Sequence, residues 1–407
     1  MRVISDYHIR GKRILLRVDL NSPVENGKIV SGPRIEAHSR TIKELSENGA
    51  KVIVLAHQGR IGKEDFLHLE QHAKLLHHII KREVIYCDDL IGEKARHAIE
   101  KMKDSDILVL ENVRTLSCET DESIPGKVVG ALVPLVDYFV LDALSVAHRK
   151  HSSVVEFMDK LPSFAGPVLA NELKALEKLR NSKDVLFFFG GSKVEDSFKI
   201  MKKWLNEKRE RKILVGGALA TLLLHAKGYK VAESMEFLLE SNMESHCEDA
   251  KELLKNYGQY IMLPVDVGLS IEKEIPGTNG DKLRIRENCD VDKIKRGQIW
   301  DIGPKTAEVY KEAIFNSHAI VMNGPAGVYE IEDYSFGTKT ILEAIAQCDA
   351  FSLLGGGHTI TALQKFGLDW KHFGYVSLSG KALIEYLCGK SLPALVALEE
   401  NARKFNV

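Results

Sequence analysis

The sequence predicts an α/β protein built from two doubly wound, Rossmann-like parallel-sheet domains that a hinge helix joins. The first observation is a repeated alternation of short apolar runs with longer amphipathic segments, which is typical of strands and crossover helices. The second is the length of 407 residues, which exceeds what one ordinary hydrophobic core organises. The third is a proline- and glycine-rich stretch at 160–171 that separates two series of strands.

The first half of the chain contains apolar runs that predict four parallel strands. These runs are rich in Ile, Leu and Val and end in polar residues, as expected of buried strands. Between the first two runs, apolar residues at helical spacing followed by a glycine predict a helix over 35–49. The predicted strands are 13–20, 51–57, 106–112 and 137–144.

The second half repeats this organisation after the connector. A helix with Leu169, Leu173, Leu176 and Leu179 at helical spacing follows the prolines; it is either an ordinary core helix or a hinge. Polar–apolar alternation around a glycine-rich turn predicts a surface hairpin at 270–286, to which we assign no chemistry. The predicted strands are 184–191, 212–218, 260–267, 319–325, 351–357 and 375–380.

The composition excludes several classes of protein. The chain is 44% hydrophobic and 28% charged, with a formal net charge of -1, so we expect neither a nucleic-acid nor a membrane partner. The six cysteines have no metal-ligand spacing, which favours a reduced, cytoplasmic setting over a zinc site. The charged N-terminus does not resemble a signal peptide, and no apolar run approaches the roughly 20 residues of a membrane span.

Basic and polar residues follow each predicted strand of the first half. Carboxyl ends of parallel strands meet at one rim, where ligands of such sheets bind. Arginine binds phosphate or carboxylate bidentately, so these residues predict an anion site. Each arginine alone could be a solvated surface residue, and Asp19 could simply neutralise one of them. The residues are Asp19, Asn21, Arg34, His57, Arg60, Asn112, Arg114, His148 and Arg149.

Glycines follow the strands of the second half instead. Between a strand and a helix, glycines expose backbone N–H groups at the positive end of a helix dipole, which favours phosphate. Any single pair is more simply a tight turn, but several in one sheet favour a nucleotide or another polyphosphate. No dinucleotide fingerprint and no Walker A motif is present. The glycines are Gly190, Gly191, Gly216, Gly217, Gly324, Gly327, Gly355, Gly356 and Gly357.

One anion site and one polyphosphate site together favour phosphoryl transfer between two ligands. Such a transfer needs positioning and charge neutralisation more than a covalent nucleophile.

Collinear motifs between about residues 17 and 359 resemble the phosphoglycerate kinase family, in forms most similar to its archaeal members. The motifs are RVDLNSP, GPRI, LAHQGR, LENVR, AHRKHSS, GGSKVED, GGALA, LPVDV, DIGPKT, NGPAGVYE and GGGHT.

The resemblance implies reversible transfer between 1,3-bisphosphoglycerate with MgADP and 3-phosphoglycerate with ATP, and hinge closure between the domains. It implies a 3-phosphoglycerate-binding domain at 1–165, a nucleotide-binding domain at 166–385, and a segment at 386–407 that returns to the first domain. The oligomeric state stays open between a monomer and a small homo-oligomer.

The resemblance also assigns residues to roles. Arg34 and Lys193 fall on catalytic positions that neutralise the transferred phosphoryl group, and ATP or ADP binds with Mg²⁺, whose protein ligands stay unknown. The substrate-binding positions are Asp19, Leu20, Asn21, Arg34, His57, Gln58, Gly59, Arg60, Arg114 and Arg149. The nucleotide-binding positions are Glu330, Gly356, Gly357, His358 and Thr359.

The chain departs from the family pattern at several positions. His358 stands where most members have an aspartate, which suits Mg²⁺ better than imidazole does. Ser197 replaces a second lysine, for which Lys199 is a candidate substitute. The segment SLSGKA at 377–382 replaces a glycine-rich turn, so Lys381 either adds positive charge or blocks the site. Ser145 and Val146 replace the expected Gly-Thr.

These departures leave two alternatives to an active family member. The first is a diverged paralogue that phosphorylates another carboxylate. The second is a nucleotide-binding protein without transferase activity. An NAD-linked dehydrogenase is a more distant alternative, because the dinucleotide fingerprint is missing.

Overall fold

The computed structural model describes residues 1–121, 124–182, 184–206, 211–274 and 282–405, and the chain forms two compact units. The first unit contains Met1–Lys174, Lys381–Tyr386 and Lys390–Val407. The second unit contains Ala175–Gly380 and Leu387–Gly389. The assignment of glycerate and nucleotide binding to separate domains stays a prediction.

The first unit contains a six-stranded parallel sheet and a small hairpin. Its strands are β1 (Arg13–Arg17), β2 (Val24–Glu25), β3 (Lys28–Ile29), β4 (Lys51–Leu55), β5 (Ile85–Tyr86), β6 (Ile107–Val109), β7 (Tyr138–Leu141) and β8 (Ser163–Ala165). The helices are α1 (Pro33–Glu47), α2 (Glu70–Ile80), α3 (Glu93–Lys101), α4 (Lys127–Leu132), α5 (Ser152–Val155) and α6 (Pro167–Asn181), which carries the chain into the second unit. The sheet has the order β5-β6-β4-β1-β7-β8, and β2 pairs with β3.

The second unit contains another six-stranded parallel sheet and a three-stranded antiparallel sheet. Its strands are β9 (Val185–Phe189), β10 (Arg211–Val215), β11 (Ile261–Met262), β12 (Asp266–Glu274), β13 (Lys282–Asp290), β14 (Gln298–Ile302), β15 (Ala319–Asn323), β16 (Phe351–Gly355) and β17 (Tyr375–Val376). The helices are α7 (Val194–Leu205), α8 (Gly217–Ala226), α9 (Ser234–Glu240), α10 (Cys247–Tyr257), α11 (Pro304–Phe315), α12 (Phe336–Gln347) and α13 (Gly357–Lys365). The orders are β11-β10-β9-β15-β16-β17 and β13-β12-β14.

The central strands form because both of their faces are covered. In β1, Ile14, Leu15 and Leu16 are completely buried, and β1 pairs in parallel with β4 and β7. Continuous apolar runs are typical of parallel strands between two helical layers, because both faces lie in the core. The strand continues into a buried arginine, Arg17, and thereby delivers charged residues to the carboxyl end of the sheet.

The last two helices return to the first unit. They are α14 (Lys381–Leu387) and α15 (Pro393–Lys404). The buried Asn401 of α15 accepts hydrogen bonds at Oδ1 from Ser163 N (2.9 Å) and from Nη2 of Arg2 (2.9 Å). Nη1 of Arg2 also donates to the carbonyl of Phe405 at 2.6 Å. Because Ala165 N also donates to the Arg2 carbonyl at 2.9 Å, Arg2 and Asn401 are both bonded to the edge strand β8.

The prediction of two parallel α/β sheets is confirmed, but the predicted strand at 260–267 is wrong. Only Ile261 and Met262 pair with β10; the chain then leaves that sheet, and β12 begins at Asp266 in the antiparallel sheet. Pro264 lies in the break, and a proline has no N–H to donate to a sheet. The predicted hairpin at 270–286 corresponds to the antiparallel strands β12 and β13; the predicted turn within 275–281 lies outside the described residues.

Among the described residues, no helix is both long enough and apolar enough to cross a membrane.

Candidate functional site

Asp19 lies just beyond the carboxyl end of β1 and is almost fully buried. Its Oδ2 accepts a hydrogen bond from Ser145 Oγ at 2.6 Å and lies 3.3 Å from Nε of Arg34. Burial alone would raise the pKa of Asp19, but Arg34 and the Ser145 hydroxyl hold it below its usual range. The carboxylate is therefore ionised and fixed in direction beside a guanidinium group.

Arg34 lies in the first turn of α1, and its side chain is 34% exposed. Its Nη1 donates to the carbonyl of Asn21 at 3.0 Å, while Oδ1 of Asn21 accepts from Gly59 N at 2.8 Å. These bonds join the segment after β1 to the segment after β4. The guanidinium group keeps a partly open face at the rim, as a group that binds an anion requires.

His57 and Arg17 lie beneath this rim. Nδ1 of His57 is 3.2 Å from Nη2 of Arg17, and Arg17 Nε donates to Ser153 Oγ at 2.9 Å. Burial and the positive charge of Arg17 keep the pKa of His57 well below its usual range. His57 is therefore neutral at neutral pH, and its Nδ1 accepts from the guanidinium group.

Three of the predicted substrate-binding residues are packed against or hydrogen-bonded to other parts of the protein. The side chain of Leu20 is fully buried in the core. The amide of Gln58 donates to the carbonyls of Ser22 (2.9 Å) and Asp65 (3.0 Å), so it braces the loop. Gly59 has φ +62°, and a Cβ there would lie 2.2 Å from the Asp65 carbonyl oxygen. The side chains of Leu20 and Gln58 are therefore engaged within the protein, and the substrate role of Leu20, Gln58 and Gly59 stays a prediction.

Arg60, Arg114 and Arg149 line a cavity of about 490 Å³ in the first unit. Nη1 of Arg114 donates to the Gly59 carbonyl, and Nε of Arg149 donates to Nε2 of His148 at 3.3 Å. The remaining lining residues are Ile61, Leu116, Ser117, Thr120, His148, His151 and Lys381.

The cations of this cavity repel one another. Burial and the charges of Arg149, Arg17 and Arg60 lower the pKa of Arg114 to about 10. Burial and Arg149 lower the pKa of His148 to about 4, so its imidazole is neutral at neutral pH. An entering anion would relieve this repulsion, and several guanidinium groups around one cavity suit a phosphate group.

A cavity of about 220 Å³ lies in the second unit. The loops after β9, β10 and β15 line it, together with β14 from the antiparallel sheet. The lining residues are Gly191, Ser192, Gly217, Ala218, Thr221, Ser234, Phe237, Gln298, Ile299, Trp300, Pro325, Gly327, Val328, Glu330 and His358.

The glycines after β9 and β10 do not offer their N–H groups to a ligand, which corrects the expectation from sequence. Gly190 N donates to Asn323 O, Gly191 N to Pro325 O, and Gly217 N to Ala326 O. A Cβ on Gly190 would lie 2.0 Å from the Pro325 carbonyl oxygen. These residues are glycines because the backbones of neighbouring loops pack directly against one another.

The turn before α13 differs from these loops. Gly356 has φ +91°, and a Cβ there would meet Oδ1 of Asn323 at 2.5 Å, whereas a Cβ on Gly357 would meet nothing within 4 Å. The first N–H groups of a helix have no acceptor within the helix, so the start of α13 retains donors suited to a phosphate. Thr359 is buried, and its Oγ1 accepts from Gly324 N at 2.9 Å.

His358 and Glu330 lie at the edge of the cavity. Nδ1 of His358 is 3.6 Å from Oε1 of Glu330, and their side chains are 69% and 54% exposed. Among the described residues, no group of three His, Cys, Asp or Glu side chains could hold a metal ion. One imidazole and one carboxylate do not by themselves make a magnesium site.

Lys193 precedes α7 and is exposed. Its neighbour Ser192 lines the cavity of the second unit, but Lys193 does not. Ser197 is buried, and its Oγ donates to the Lys193 carbonyl at 3.1 Å. Lys199, the candidate substitute for a second lysine, lies 2.5 Å from Oε1 of Glu195. The site role of Lys193 stays a prediction.

Sequence reasoning missed three polar residues of the first unit. Arg17 was visible as a charge at the end of an apolar run. Ser145, which holds Asp19, was recognised only as a departure from the family pattern. Glu119 accepts from Ser153 N (2.9 Å) and Oγ (2.7 Å) and so anchors the partner of Arg17; its segment contains no motif that would have identified it.

The fold and these two cavities define a class of α/β protein with a cationic cavity at one parallel sheet and a glycine-lined cavity at the other. The family model described as phosphoglycerate kinase matches residues 4–390, and the chain belongs to that family.

Similar proteins cover the chain from end to end. A phosphoglycerate kinase of Methanothermus fervidus is 39% identical over 98% of this chain and 97% of its own length. The crystal structure of phosphoglycerate kinase from Pyrococcus horikoshii is 35% identical, covers 100% of both chains and superposes with a TM-score of 0.89. The structure of phosphoglycerate kinase from Coxiella burnetii is 30% identical, covers 98% of this chain and 99% of its own, and has a TM-score of 0.82.

Proposed function

We propose that this protein is an active phosphoglycerate kinase, which transfers a phosphoryl group reversibly between 1,3-bisphosphoglycerate with ADP and 3-phosphoglycerate with ATP. The observation that carries the proposal is membership of that family over nearly the whole chain, combined with the arginine-lined cavity of the first unit. In the direction of ATP consumption, a carboxylate oxygen of 3-phosphoglycerate forms a bond to the γ-phosphorus. The bond between that phosphorus and the bridging oxygen breaks, and ADP leaves with the electron pair.

We assign the phosphate ester of 3-phosphoglycerate to Arg60, Arg114 and Arg149. Three guanidinium groups supply more positive charge than the doubly charged ester requires, and their mutual repulsion favours anion entry. We assign to Asp19 and Asn21, which are fixed by hydrogen bonds, the role of binding the hydroxyl group of the substrate or of orienting Arg34. Arg34 then neutralises charge that develops on the transferred group.

We assign the nucleotide to the cavity of the second unit. Glu330 is the candidate acceptor for the ribose hydroxyl groups, and the N–H groups at Gly357 and His358 are candidate donors to phosphate oxygens. Lys193 is assigned a role near the transferred group by resemblance only. Mg²⁺ is treated as part of the nucleotide substrate. The hinge movement, the cytoplasmic location and the oligomeric state stay predictions.

The test is 3-phosphoglycerate-dependent ADP formation from MgATP, with a coupled dehydrogenase that removes the 1,3-bisphosphoglycerate. Turnover that requires 3-phosphoglycerate and is lost in Arg34→Ala supports the proposal. Nucleotide binding without turnover would contradict it and favour the binding-only alternative. Turnover with another carboxylate and none with 3-phosphoglycerate would favour a diverged paralogue.

A further inference from the structure

Lys381, the most conspicuous departure from the family pattern, lines the arginine cavity. It is the first residue of α14 and belongs to the first unit, as do Arg60, Arg114 and Arg149. All four residues line the same cavity of about 490 Å³. The lysine therefore forms part of the wall of an open cavity and does not block it.

The ammonium group of Lys381 is weakly held. Its side chain is 68% exposed, and Nζ lies 3.9 Å from Oε1 of Glu385 one helical turn away. The same carboxylate oxygen lies 3.8 Å from Nζ of Lys390. Exposed pairs at this separation contribute little stability, and one carboxylate cannot neutralise two lysines. Lys381 thus brings surplus positive charge that a ligand in the cavity can recruit.

The electrostatics of the cavity agree with this placement. The largest causes that lower the pKa of His148 are burial and Arg149; Lys381 lowers it further, and Glu385 opposes the shift. The charges of Lys381 and Glu385 are therefore felt at a residue that lines the cavity. Removing Lys381 would take away a positive charge at the anion site, whereas the negative charge of Glu385 would remain nearby.

We propose that Lys381 is a further substrate-binding residue, whose ammonium group binds the phosphate ester held by the three arginines. The inference rests on the proposed function for the identity of the substrate. Lysine binds phosphate as a compact point charge with flexible reach, which complements the planar, fixed geometry of the guanidinium groups. Lys381 is placed at the ester and not at the transferred group because Asp19 and Arg34 do not line this cavity.

The experiment compares Lys381→Ala with Lys390→Ala in the full-length protein. Lys390 is a matched control, because it shares the Glu385 partner and is 60% exposed but does not line the cavity. Loss of a charged hydrogen bond predicts that Lys381→Ala raises KM for 3-phosphoglycerate roughly tenfold or more, with kcat and KM for ATP changed less than about twofold. Added salt should shrink the effect, and Lys381→Arg should restore most of the affinity.

Calorimetric titration with inorganic phosphate separates this inference from the proposed function, because it needs no turnover. Lys381→Ala should weaken phosphate binding about tenfold, while Lys390→Ala and the thermal unfolding midpoint should stay close to wild type. Equal effects of the two alanine variants would overturn the proposal. So would a fall in kcat with an unchanged KM for 3-phosphoglycerate, since that would place Lys381 at the transferred group. A wild-type protein that binds phosphate but does not turn over would contradict the proposed function alone.

Discussion

Arg286 donates a hydrogen bond of 2.8 Å from Nη1 to Oδ2 of the buried Asp301, which lies next to the cavity of the second unit. Asp301 follows Trp300, which lines the cavity, and also accepts from Gly337 N at 2.8 Å. A Cβ on Gly327 would lie 2.6 Å from Oδ1 of Asp301. Nη1 of Arg286 also donates to the Asp333 carbonyl at 2.7 Å, so the pair joins β13 and β14 to the segment that leads into α12.

Asp301→Asn should change how stability depends on pH. Burial, only partly offset by the bonds from Gly337 and Arg286, raises the pKa of Asp301 to about 6. The native state therefore holds this proton more tightly than the unfolded chain, and the stability that the proton gives is lost as pH rises from about 4 through 6. At 1.36 kcal/mol per pKa unit, the loss is about 3 kcal/mol.

Asparagine does not ionise. The free energy of unfolding of Asp301→Asn, relative to that of wild type, should therefore rise by about 3 kcal/mol between pH 4 and pH 7. Urea unfolding at a series of pH values measures this difference, and the exposed Asp333→Asn provides the control. A relative stability that falls with pH would show instead that Arg286 holds the pKa of Asp301 below its ordinary value.

Arg34→Ala should lower kcat by on the order of 10³ or more, because a phosphate-clamping arginine contributes that much or more to phosphoryl transfer. Steady-state kinetics with saturating MgATP and 3-phosphoglycerate measures the effect. Arg40→Ala is the matched control, since Arg40 lies exposed on the same helix. A decrease of less than about tenfold would remove Arg34 from the proposed role.

Gly356→Ala and Gly357→Ala should separate folding from ligand binding. Alanine at 356 meets both a positive φ and Oδ1 of Asn323, so we expect a loss of about 1–3 kcal/mol in unfolding free energy. Alanine at 357 meets no neighbour within 4 Å, so stability should stay near wild type while a methyl group hinders phosphate approach. Denaturant unfolding and ATP titration test both; equal stability of the two variants would contradict this account.

Glu330→Gln should raise KM for ATP about tenfold and leave KM for 3-phosphoglycerate unchanged. Hydrogen bonds to a charged acceptor contribute about 1.5–3 kcal/mol, and a neutral amide forms weaker ones with the ribose hydroxyls. Glu332→Gln is the control, because Glu332 is exposed and lies 3.8 Å from Lys365 outside the cavity lining. The same change in both variants would show a general loss of negative charge and no specific contact.

Elements with strong local patterns were predictable from sequence. The strand around Ile14 and Leu16 and the helix from Pro33 are encoded by apolar runs and helical spacing within a short window. The strand at 260–267 was wrong because apolar composition alone does not show that Pro264 directs the chain into another sheet. β14 was missed because it is stabilised by β12, a partner about thirty residues away in sequence.

The candidate sites, too, were only partly predictable from the sequence. The acidic and basic residues after each strand of the first half were visible from position alone. The bonds from Gly190 N to Asn323 O and from Gly217 N to Ala326 O were not, because loops more than a hundred residues apart meet there. Whether Lys381 obstructs the cavity or lines it could be decided only from where α14 lies in the first unit.

The bonds that tie Arg2 and Ser163 to Asn401 also constrain how the protein is made. The second unit is almost contiguous in sequence, whereas the first needs residues from 390 onward. At roughly 5–20 residues per second, a ribosome would add those residues about 10 to 40 seconds after finishing Lys174. During that interval the edge strand at Ser163 has no Asn401 side chain to bond with. We therefore expect the half of the protein that is synthesised first to be the last to complete its fold.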